Sequence, residues 1–483
     1  MSKLKDKFFV LCVVCCFYAS CSNDEFLEQT VETEKQELTD NEMFALDIFI
    51  NGSKSSYDEI LDKVAEAVSF LDAAEPTKSI AGRHVSSIYE IGKCATKSGE
   101  SQDDAFAYVA NFDGEGFAVI SADRRTDDIL ALSSAGSFDV NTLEQDYYDG
   151  KIPVDALILM SNIEEIINLQ IDDFNKDYDQ LAISAMEKLS SESMTKSISG
   201  IKVTTSRQLL TSSNETPTPR TTVSDWKTVA SGSIEPMVKT TWGQGAPFNN
   251  MTPIQDGYHT MTGCVPTAIA QVMNYWCFPL SYDWASISPF SHGTGITKAP
   301  ESVKNEVAKL MFDIGKSINV SYGLDGTSAH SKDAVSFFKK MGYRNAGTYD
   351  DFDEAKTLSS LYHGCPVIVS GGDIKEVKNL VILGAEIRLS TVISGHCWII
   401  DGALRQGKTT TVSCDGNIIS QTTQYRTLFH CNYGWNSLHD GYYASEAFNI
   451  NEGPITKCIV TDEYGEKLNF QYELHGIYDI AAY

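Results

Sequence analysis

The chain has 483 residues, of which 42% are hydrophobic and 10% aromatic. This composition suits folded domains with real cores, and excludes both a chain that is disordered throughout and a bundle of membrane helices. The length predicts two folded units plus tails. The formal charge of −27 argues against nucleic acid as a partner, because phosphate binding requires a basic surface.

The first 21 residues have the pattern of an export signal. Three lysines precede an apolar run from Phe8 to Tyr18 that is too short to span a bilayer, and two small residues then precede Cys21. This pattern resembles a bacterial lipoprotein signal, which implies a lipid on Cys21, a membrane anchor through that lipid, and an outer-membrane or cell-surface location. The alternative is a plain secretory peptide cut near Ser20 that releases the protein.

The remaining chain divides by composition. Residues 22–42 are acidic and predict a flexible tether. Apolar residues at helical spacing within 61–71 and 155–174 predict two helices, and apolar runs at 105–109 and 116–120 around Asp113-Gly114 predict a β-hairpin. Residues 43–187 are therefore expected to form a small α+β domain. A Ser/Thr-rich stretch, 188–234, predicts an exposed linker open to proteolysis, and 235–483 a second domain.

Cys264 begins a helical pattern. The segment Gly263-Cys264-Val265-Pro266 places a proline in the first helical turn, and the pattern continues to Trp276. The unpaired N–H groups and the dipole at a helix N-terminus favour an anion, so a thiolate nucleophile fits this position. A cysteine that merely packs at a helix start fits it equally well when Cys264 is considered alone.

His396 lies in an apolar run, 392–402, that predicts a strand. A single histidine in a strand is more often a core residue than a catalyst. Its interval from Cys264, however, falls within the range of about 130–150 residues that separates nucleophile and histidine in papain-like enzymes. The pair is therefore interpreted as nucleophile and general base.

Three further side chains complete the predicted site. Asn432 can accept a ring N–H of His396 and fix which nitrogen faces the thiol. Trp435 can shield that hydrogen bond from water. Gln244 offers an amide donor that can join the Cys264 N–H in an oxyanion hole. Asn432 and Gly434 also suit an ordinary turn.

Taken together, these segments resemble the streptopain family of papain-like cysteine peptidases, including its Bacteroides members. The resemblance rests on three motifs in order: Gly-Cys-x-x-Thr-Ala-x-Ala-Gln-x-Met at 263–273, Gly-His at 395–396 and Asn-Tyr-Gly-Trp at 432–435. It extends to residues 116–138, which resemble the propeptide of that family. The departures are Tyr433, Ser437 and Cys397, which stand where the family often has Trp, Gly and a small residue.

The resemblance implies an α+β fold with a papain-like catalytic domain at 235–483 behind an inhibitory propeptide domain at 43–187. It also implies a cysteine endopeptidase that is made as a zymogen and acts on proteins or peptides, with its own propeptide as intramolecular inhibitor. No cofactor is expected. The segment 371–391 is expected to form a loop over the cleft, and a hydrophobic residue is expected two positions before the cut.

Two other functions stay open at this stage. The pairs His396-Cys397 and His430-Cys431 contain zinc-binding residue types, although neighbours on a strand point to opposite faces. The chain could instead be an inactive surface lipoprotein that binds host proteins or glycans.

The eight cysteines beyond Cys21 are scattered and contain no CxxC pair, so they predict neither a zinc ribbon nor a disulfide framework.

Overall fold

The structure is a computed structural model. It describes residues 38–74, 83–92, 105–139, 141–149, 151–152, 154–193, 220–223, 227–228, 233–293, 295–324, 326–372, 379–382, 385–388, 396–414, 417–444 and 473–483. The predicted signal with Cys21, most of the tether and most of the linker lie outside these residues. None of the helices within these ranges is long and apolar enough to cross a membrane.

The helices, in chain order, are α1 (Asp40–Asn51), α2 (Tyr57–Ala74), α3 (Leu143–Tyr148), α4 (Val154–Ser193), α5 (Cys264–Trp276), α6 (Trp284–Ile287), α7 (Gly295–Lys298), α8 (Glu301–Ser317), α9 (Asp333–Lys340) and α10 (Glu354–Tyr362). The strands are β1 (Val85–Gly92), β2 (Ala105–Phe112), β3 (Phe117–Ser121), β4 (Ile129–Ser133), β5 (Arg220–Val223), β6 (Lys227–Thr228), β7 (Ile254–Gln255), β8 (Tyr258–His259), β9 (Asn345–Asp351), β10 (Val367–Gly372), β11 (Asn379–Ile382), β12 (Ala385–Arg388), β13 (His396–Cys414), β14 (Asn417–Asn432), β15 (Gly441–Ala444) and β16 (Glu473–Ala481).

The elements predicted in the N-terminal half are confirmed. Strands β2 and β3 form an antiparallel hairpin around Asp113-Gly114, where Gly114 has a φ of 92° that favours glycine. Helix α4 begins at the predicted place but runs well beyond residue 174. Its extension buries Ala182 and Ala185 completely, and such small side chains contribute little to a hydrophobic pattern.

One large antiparallel arrangement joins the two halves of the sequence. Its strands follow the order β1-β2-β3-β4-β15-β14-β13-β10-β16-β9. The link is the pairing of β4 with β15, in which Leu132 lies opposite Tyr442. Nothing in the sequence pattern predicted this pairing, because both strands are short and each reads as the end of its own hairpin.

The strand β13 separates two apolar clusters. Trp398 and Ile400 pack with residues of β2, β3 and α4, whereas Cys397 and Ile399 pack with residues of α5, α8 and α9. This alternation follows from the two-residue repeat of a strand. The sheet is therefore covered by apolar side chains on both faces around His396.

The segment predicted to form a loop, 371–391, is more regular than expected. Its described part contains the end of β10 and the short antiparallel hairpin β11–β12. Helix α3 of the N-terminal half lies beside β12.

The described residues divide into two compact units. The larger unit comprises residues within 53–171, 225–408 and 425–483, and the smaller one residues within 38–52, 172–224 and 409–424. In the smaller unit, Thr39 and Glu42 form a capping box at the start of α1. Burial raises the pKa of Glu42, but hydrogen bonds led by those from Lys188 and Ser184 outweigh burial and lower this pKa to about 2.

Candidate active site

Cys264 is the first residue of α5, as predicted. The preceding Gly263 has a φ of 94°, and a Cβ at this position would meet Thr327 Cγ2 at 2.9 Å. Glycine therefore satisfies both the backbone conformation and the close approach. The side chain of Cys264 is partly buried, while α5 is anchored by buried residues such as Ile269 and Met273. A rigid helix thus presents this thiol at its N-terminus.

His396 is the first residue of β13 and pairs with Gly371 of β10. Its ring is buried and lies parallel to the Trp398 ring, at 6.0 Å between centroids. The ring atom Nε2 is 3.2 Å from the carbonyl oxygen of Tyr433. In the Nε2–H tautomer this nitrogen donates to the carbonyl, and Nδ1 is the ring nitrogen that carries no proton.

The thiol of Cys264 makes no hydrogen bond to any residue that the structure describes. Direct proton sharing between Cys264 and His396 therefore stays a prediction. Catalytic hydrogen bonds are often long in the absence of substrate and shorten only in the reacting complex.

The hydrogen bonds of Asn432 differ from the expected one to His396. Its Oδ1 atom accepts hydrogen bonds from Gln271 Nε2 at 3.1 Å and from the Gly434 N–H at 3.1 Å, and its Nδ2 donates to the Thr240 carbonyl at 2.8 Å. The acceptor that the structure gives to His396 Nε2 is a backbone carbonyl one residue further along the chain. Asn432 holds that backbone rather than supplying the acceptor itself.

The structure gives a neighbour of the site for both Gln244 and Trp435. The Gln244 carbonyl accepts the Thr262 N–H at 3.0 Å, which ties the buried Gln244 to the residue two positions before Cys264. The Trp435 ring is 6.5 Å from the His396 ring and packs against the cluster that contains Trp398. Their roles as oxyanion donor and as shield stay predictions.

The turn after Trp435 explains one departure from the family pattern. Asn436, Ser437 and His439 all have positive φ values, of 56°, 63° and 60°. A residue other than glycine is uncommon in this region, and glycine would adopt it without a steric cost. Ser437 therefore stands at a backbone position that favours the glycine often found there.

Several residues of the site were not predicted from the sequence. They are Thr240, Gln271, the carbonyl of Tyr433, and Asp440, whose Oδ1 accepts the Tyr433 N–H at 2.8 Å. Gln271 follows Cys264 by two helical turns, a spacing that could have placed it on the same helix face. A backbone carbonyl leaves no signal in the sequence.

The zinc alternative finds little support in the described residues. They contain no group of three His, Cys, Asp or Glu residues that could hold a metal ion. Cys397 and Cys431 lie in two different apolar clusters. His430 Nδ1 is 2.6 Å from Asp401 Oδ1, so its ring is committed to a buried carboxylate.

The N-terminal half contacts the turn beside the site. Ser133, at the end of β4, donates a hydrogen bond from Oγ to the Asp440 carbonyl at 2.6 Å. The His439 ring packs against Phe117 and Phe138, at 5.5 and 5.1 Å between centroids. Since Asp440 also holds Tyr433, this contact reaches the residue whose carbonyl faces His396.

Comparison with protein families identifies two segments. Residues 242–443 match the Peptidase C10 family, and residues 63–149 match a Spi protease inhibitor domain. The two segments lie within the predicted catalytic and propeptide domains, respectively.

The chain is also similar to several individual proteins. The chain is 25% identical to streptopain of Streptococcus pyogenes serotype M1 over 386 residues, which cover 71% of this chain and 74% of the relative. It is 22% identical over 242 residues to the thiol protease/hemagglutinin PrtT of Porphyromonas gingivalis, covering 43% of this chain and 23% of the relative. A prointerpain A fragment of Prevotella intermedia has a TM-score of 0.42 and 18% identity, and covers 82% of this chain and 100% of that structure.

The resemblance to the streptopain family is thereby confirmed. The expected α+β fold class, with a peptidase segment behind a propeptide-type inhibitor segment, is confirmed as well. Both matches support a cysteine protease zymogen that acts on protein or peptide substrates and is inhibited by its own propeptide.

Proposed function

We propose that this chain, with its Peptidase C10 match behind an inhibitor domain, is an exported cysteine endopeptidase in which Cys264 is the nucleophile and His396 the acid and base. One observation supports this assignment above others. The helix that begins with Cys264 and the carbonyl that faces His396 Nε2 belong to one hydrogen-bonded network through Gln271 and Asn432. This network supports the assignment, because it connects the helix of the proposed nucleophile with the backbone that faces the proposed base.

The reaction follows from these positions. The Cys264 thiolate attacks the peptide carbonyl carbon and forms a carbon–sulfur bond, which moves an electron pair onto the carbonyl oxygen. The Cys264 N–H and the Gln244 amide stabilise this oxyanion. The His396 imidazolium then gives its proton to the leaving amine, which breaks the carbon–nitrogen bond and leaves a thioester. Neutral His396 removes a proton from water, the resulting hydroxide attacks the thioester, and the carboxylic acid and Cys264 thiolate leave.

Synthesis as a zymogen is part of the proposal. We infer that the signal at 1–21 exports the chain, with Cys21 as the lipid-bearing residue, and that cleavage between about 188 and 240 separates the inhibitor segment from the peptidase. Export before activation protects the cell that makes the enzyme. The contacts of Ser133 with Asp440 and of Phe117 and Phe138 with His439 support an inhibitor segment that holds the turn beside the site.

Active-site labelling tests the proposal. Full-length protein is incubated until processed and then exposed to an epoxysuccinyl probe, with Cys264→Ala and Cys277→Ala as parallel samples. We expect the probe on Cys264 in the wild type and in Cys277→Ala, together with peptide hydrolysis and a new N-terminus between about 188 and 240. A chain that hydrolyses no peptide and binds no probe at Cys264 would instead be an inactive binding lipoprotein.

A further inference from the structure

Helix α5 carries more than the nucleophile on one face. Thr267 and Gln271 follow Cys264 by three and seven residues, a spacing that places all three side chains on the same side of a helix. Gln271 is completely buried. Its Oε1 atom accepts a hydrogen bond from Thr240 Oγ1 at 2.7 Å, and its Nε2 donates to Asn432 Oδ1 at 3.1 Å.

These bonds close a ring that needs a glutamine. Thr240 donates to Gln271 through its hydroxyl and accepts from Asn432 Nδ2 through its carbonyl, at 2.8 Å. Gln271 must therefore accept at one end of its amide and donate at the other. A glutamate offers no donor to Asn432 Oδ1, and a methionine offers no comparable hydrogen-bonding group at either end.

The ring reaches His396 through one peptide unit. Asn432 Oδ1 also accepts the Gly434 N–H at 3.1 Å. That N–H and the Tyr433 carbonyl belong to the same planar peptide group, so fixing the orientation of one fixes the other. The Tyr433 carbonyl is the group 3.2 Å from His396 Nε2.

The same peptide unit rests directly on α5. Gly434 has a φ of 71°, and a Cβ there would meet Thr267 Cγ2 at 3.0 Å. Thr267 in turn donates to the Gly263 carbonyl at 2.8 Å, next to the nucleophile. One helix face thus touches both the backbone before Cys264 and the backbone that faces His396.

We propose that Gln271 is a positioning residue for the reaction: it fixes, through Asn432, the carbonyl that accepts the Nε2–H of His396. This inference rests on the proposed function, in which His396 must present Nδ1 to the sulfur during proton transfer. An imidazolium whose Nε2–H has a fixed acceptor keeps its ring orientation. Without Gln271, Asn432 keeps only its bonds to the Thr240 carbonyl and the Gly434 N–H, so the peptide unit of Tyr433 and Gly434 is held less firmly and the His396 ring can rotate away from the thiol.

The variant Gln271→Glu tests the inference in the full-length chain, after the linker has been cleaved by added wild-type enzyme and that enzyme removed. We expect kcat to fall by about 10–10²-fold, since small misplacements of catalytic groups cost this much, while KM changes less than about twofold. We also expect alkylation of Cys264 by iodoacetamide at pH 6, relative to pH 9, to fall by about tenfold, since a rotated His396 ring no longer pairs with the sulfur. The matched control is Met273→Leu, a buried change on the same helix.

The outcomes separate the inference from the proposed function. If Gln271→Glu keeps the wild-type kcat and alkylation profile, the inference is wrong although the peptidase assignment stands. If Gln271→Glu and Met273→Leu lose equal activity with unchanged alkylation profiles, Gln271 is only structural. If the wild type itself shows no hydrolysis that depends on Cys264, the proposed function fails. Should Gln271→Glu not fold, Thr240→Val removes the bond to Gln271 Oε1 with little change of shape, and the same loss is expected.

Discussion

Gln244 is a buried amide on a segment tied to the residues before the nucleophile. Its carbonyl accepts the Thr262 N–H at 3.0 Å and also receives the Thr262 hydroxyl at 3.3 Å. These bonds fix the backbone of Gln244 relative to the start of α5. The role of its side-chain amide as a donor toward the oxyanion stays a prediction.

We predict that Gln244→Leu lowers kcat by about 10²–10³-fold, which is the usual cost of removing one oxyanion donor. KM should change little, because the donor acts on charge that develops only in the transition state. Steady-state kinetics of the processed protein provide the measurement, with the exposed Gln255→Leu as control. An equal fall in both variants, or a loss confined to KM, would contradict the role of Gln244.

The residues of the site differ in how far the sequence could predict them. Cys264 and His396 could be proposed because spacing and helix-start chemistry mark them. The hydrogen bonds of Asn432 to Gln271, Thr240 and Gly434 could not be predicted, because they depend on the backbone path between 432 and 434. The Tyr433 carbonyl and the ring through Thr240 depend on tertiary contacts, which no local pattern records.

At the scale of elements, a buried cluster of charges around Asp128, the residue before β4, links α2 and β13. Asp128, which is 3% exposed, lies 2.6 Å from Lys63 Nζ of α2 and 3.0 Å from Lys408 Nζ of β13. Burial raises the pKa of Asp128, but the charges of Lys408, Lys63 and Arg426 outweigh it and hold this pKa well below its usual range. Burial lowers the pKa of Lys63, and the neighbouring Asp128 opposes that change.

We predict that Asp128→Asn lowers the free energy of unfolding of the full-length chain by about 3–5 kcal/mol. Removing one member of a buried charge group leaves its partners buried without compensation. Urea unfolding at pH 7 measures the change, with Asp113→Asn at the exposed turn between β2 and β3 as control. Equal stability of the two variants would show that water already solvates the lysines.

The elements show the same limit of sequence-based prediction as the residues. The hairpin β2–β3 and the start of α5 could be predicted because turn residues and helix-start residues act locally. The pairing of β4 with β15 and the partners of Asp128 could not, since Leu132 and Tyr442 are 310 residues apart in the chain and Asp128 is 280 residues from Lys408 and 65 from Lys63. These long-range contacts nevertheless determine how the inhibitor segment meets the peptidase segment.

For the molecule as a whole, His439 makes stability depend on pH. Its ring is fully buried, and neither ring nitrogen has a hydrogen-bond partner among the described residues. Phe117 of β3, together with Phe138 and Gly136 after β4, surrounds it, and a Cβ on Gly136 would meet the ring at 2.7 Å. Burial lowers the pKa of His439 to about 4.

The polar groups around this histidine are already committed elsewhere. The Asp440 carboxylate accepts the Tyr433 N–H, Ser133 donates to the Asp440 carbonyl, and the Tyr443 hydroxyl donates to the His439 carbonyl. Only burial shifts the pKa of the ring. A protonated His439 would therefore place an uncompensated charge between two phenylalanine rings.

The sign of the pH effect follows from these values. The unfolded chain binds a proton at His439 near pH 6.5, whereas the folded chain does so only near pH 4. The contribution of His439 to the free energy of unfolding is therefore fully present above about pH 6.5. It is lost progressively as the pH falls toward 4, by up to about 3 kcal/mol.

We predict that His439→Phe removes most of this dependence, because phenylalanine fills the same apolar site without a titrating group. Urea unfolding of the full-length chain at pH 7.0, 5.5 and 4.5 measures it, with the exposed His363→Phe as matched control. The free energy of unfolding of the control should fall from pH 7.0 to 4.5 as much as that of the wild type. The fall for His439→Phe should be smaller by about 2–3 kcal/mol. Parallel curves for all three proteins would show that the ring gains a partner or water as it becomes protonated. Phe117, Gly136 and Phe138 belong to the inhibitor segment and His439 to the peptidase segment. In that case, protonation of His439 at low pH would leave the contact between the two segments intact.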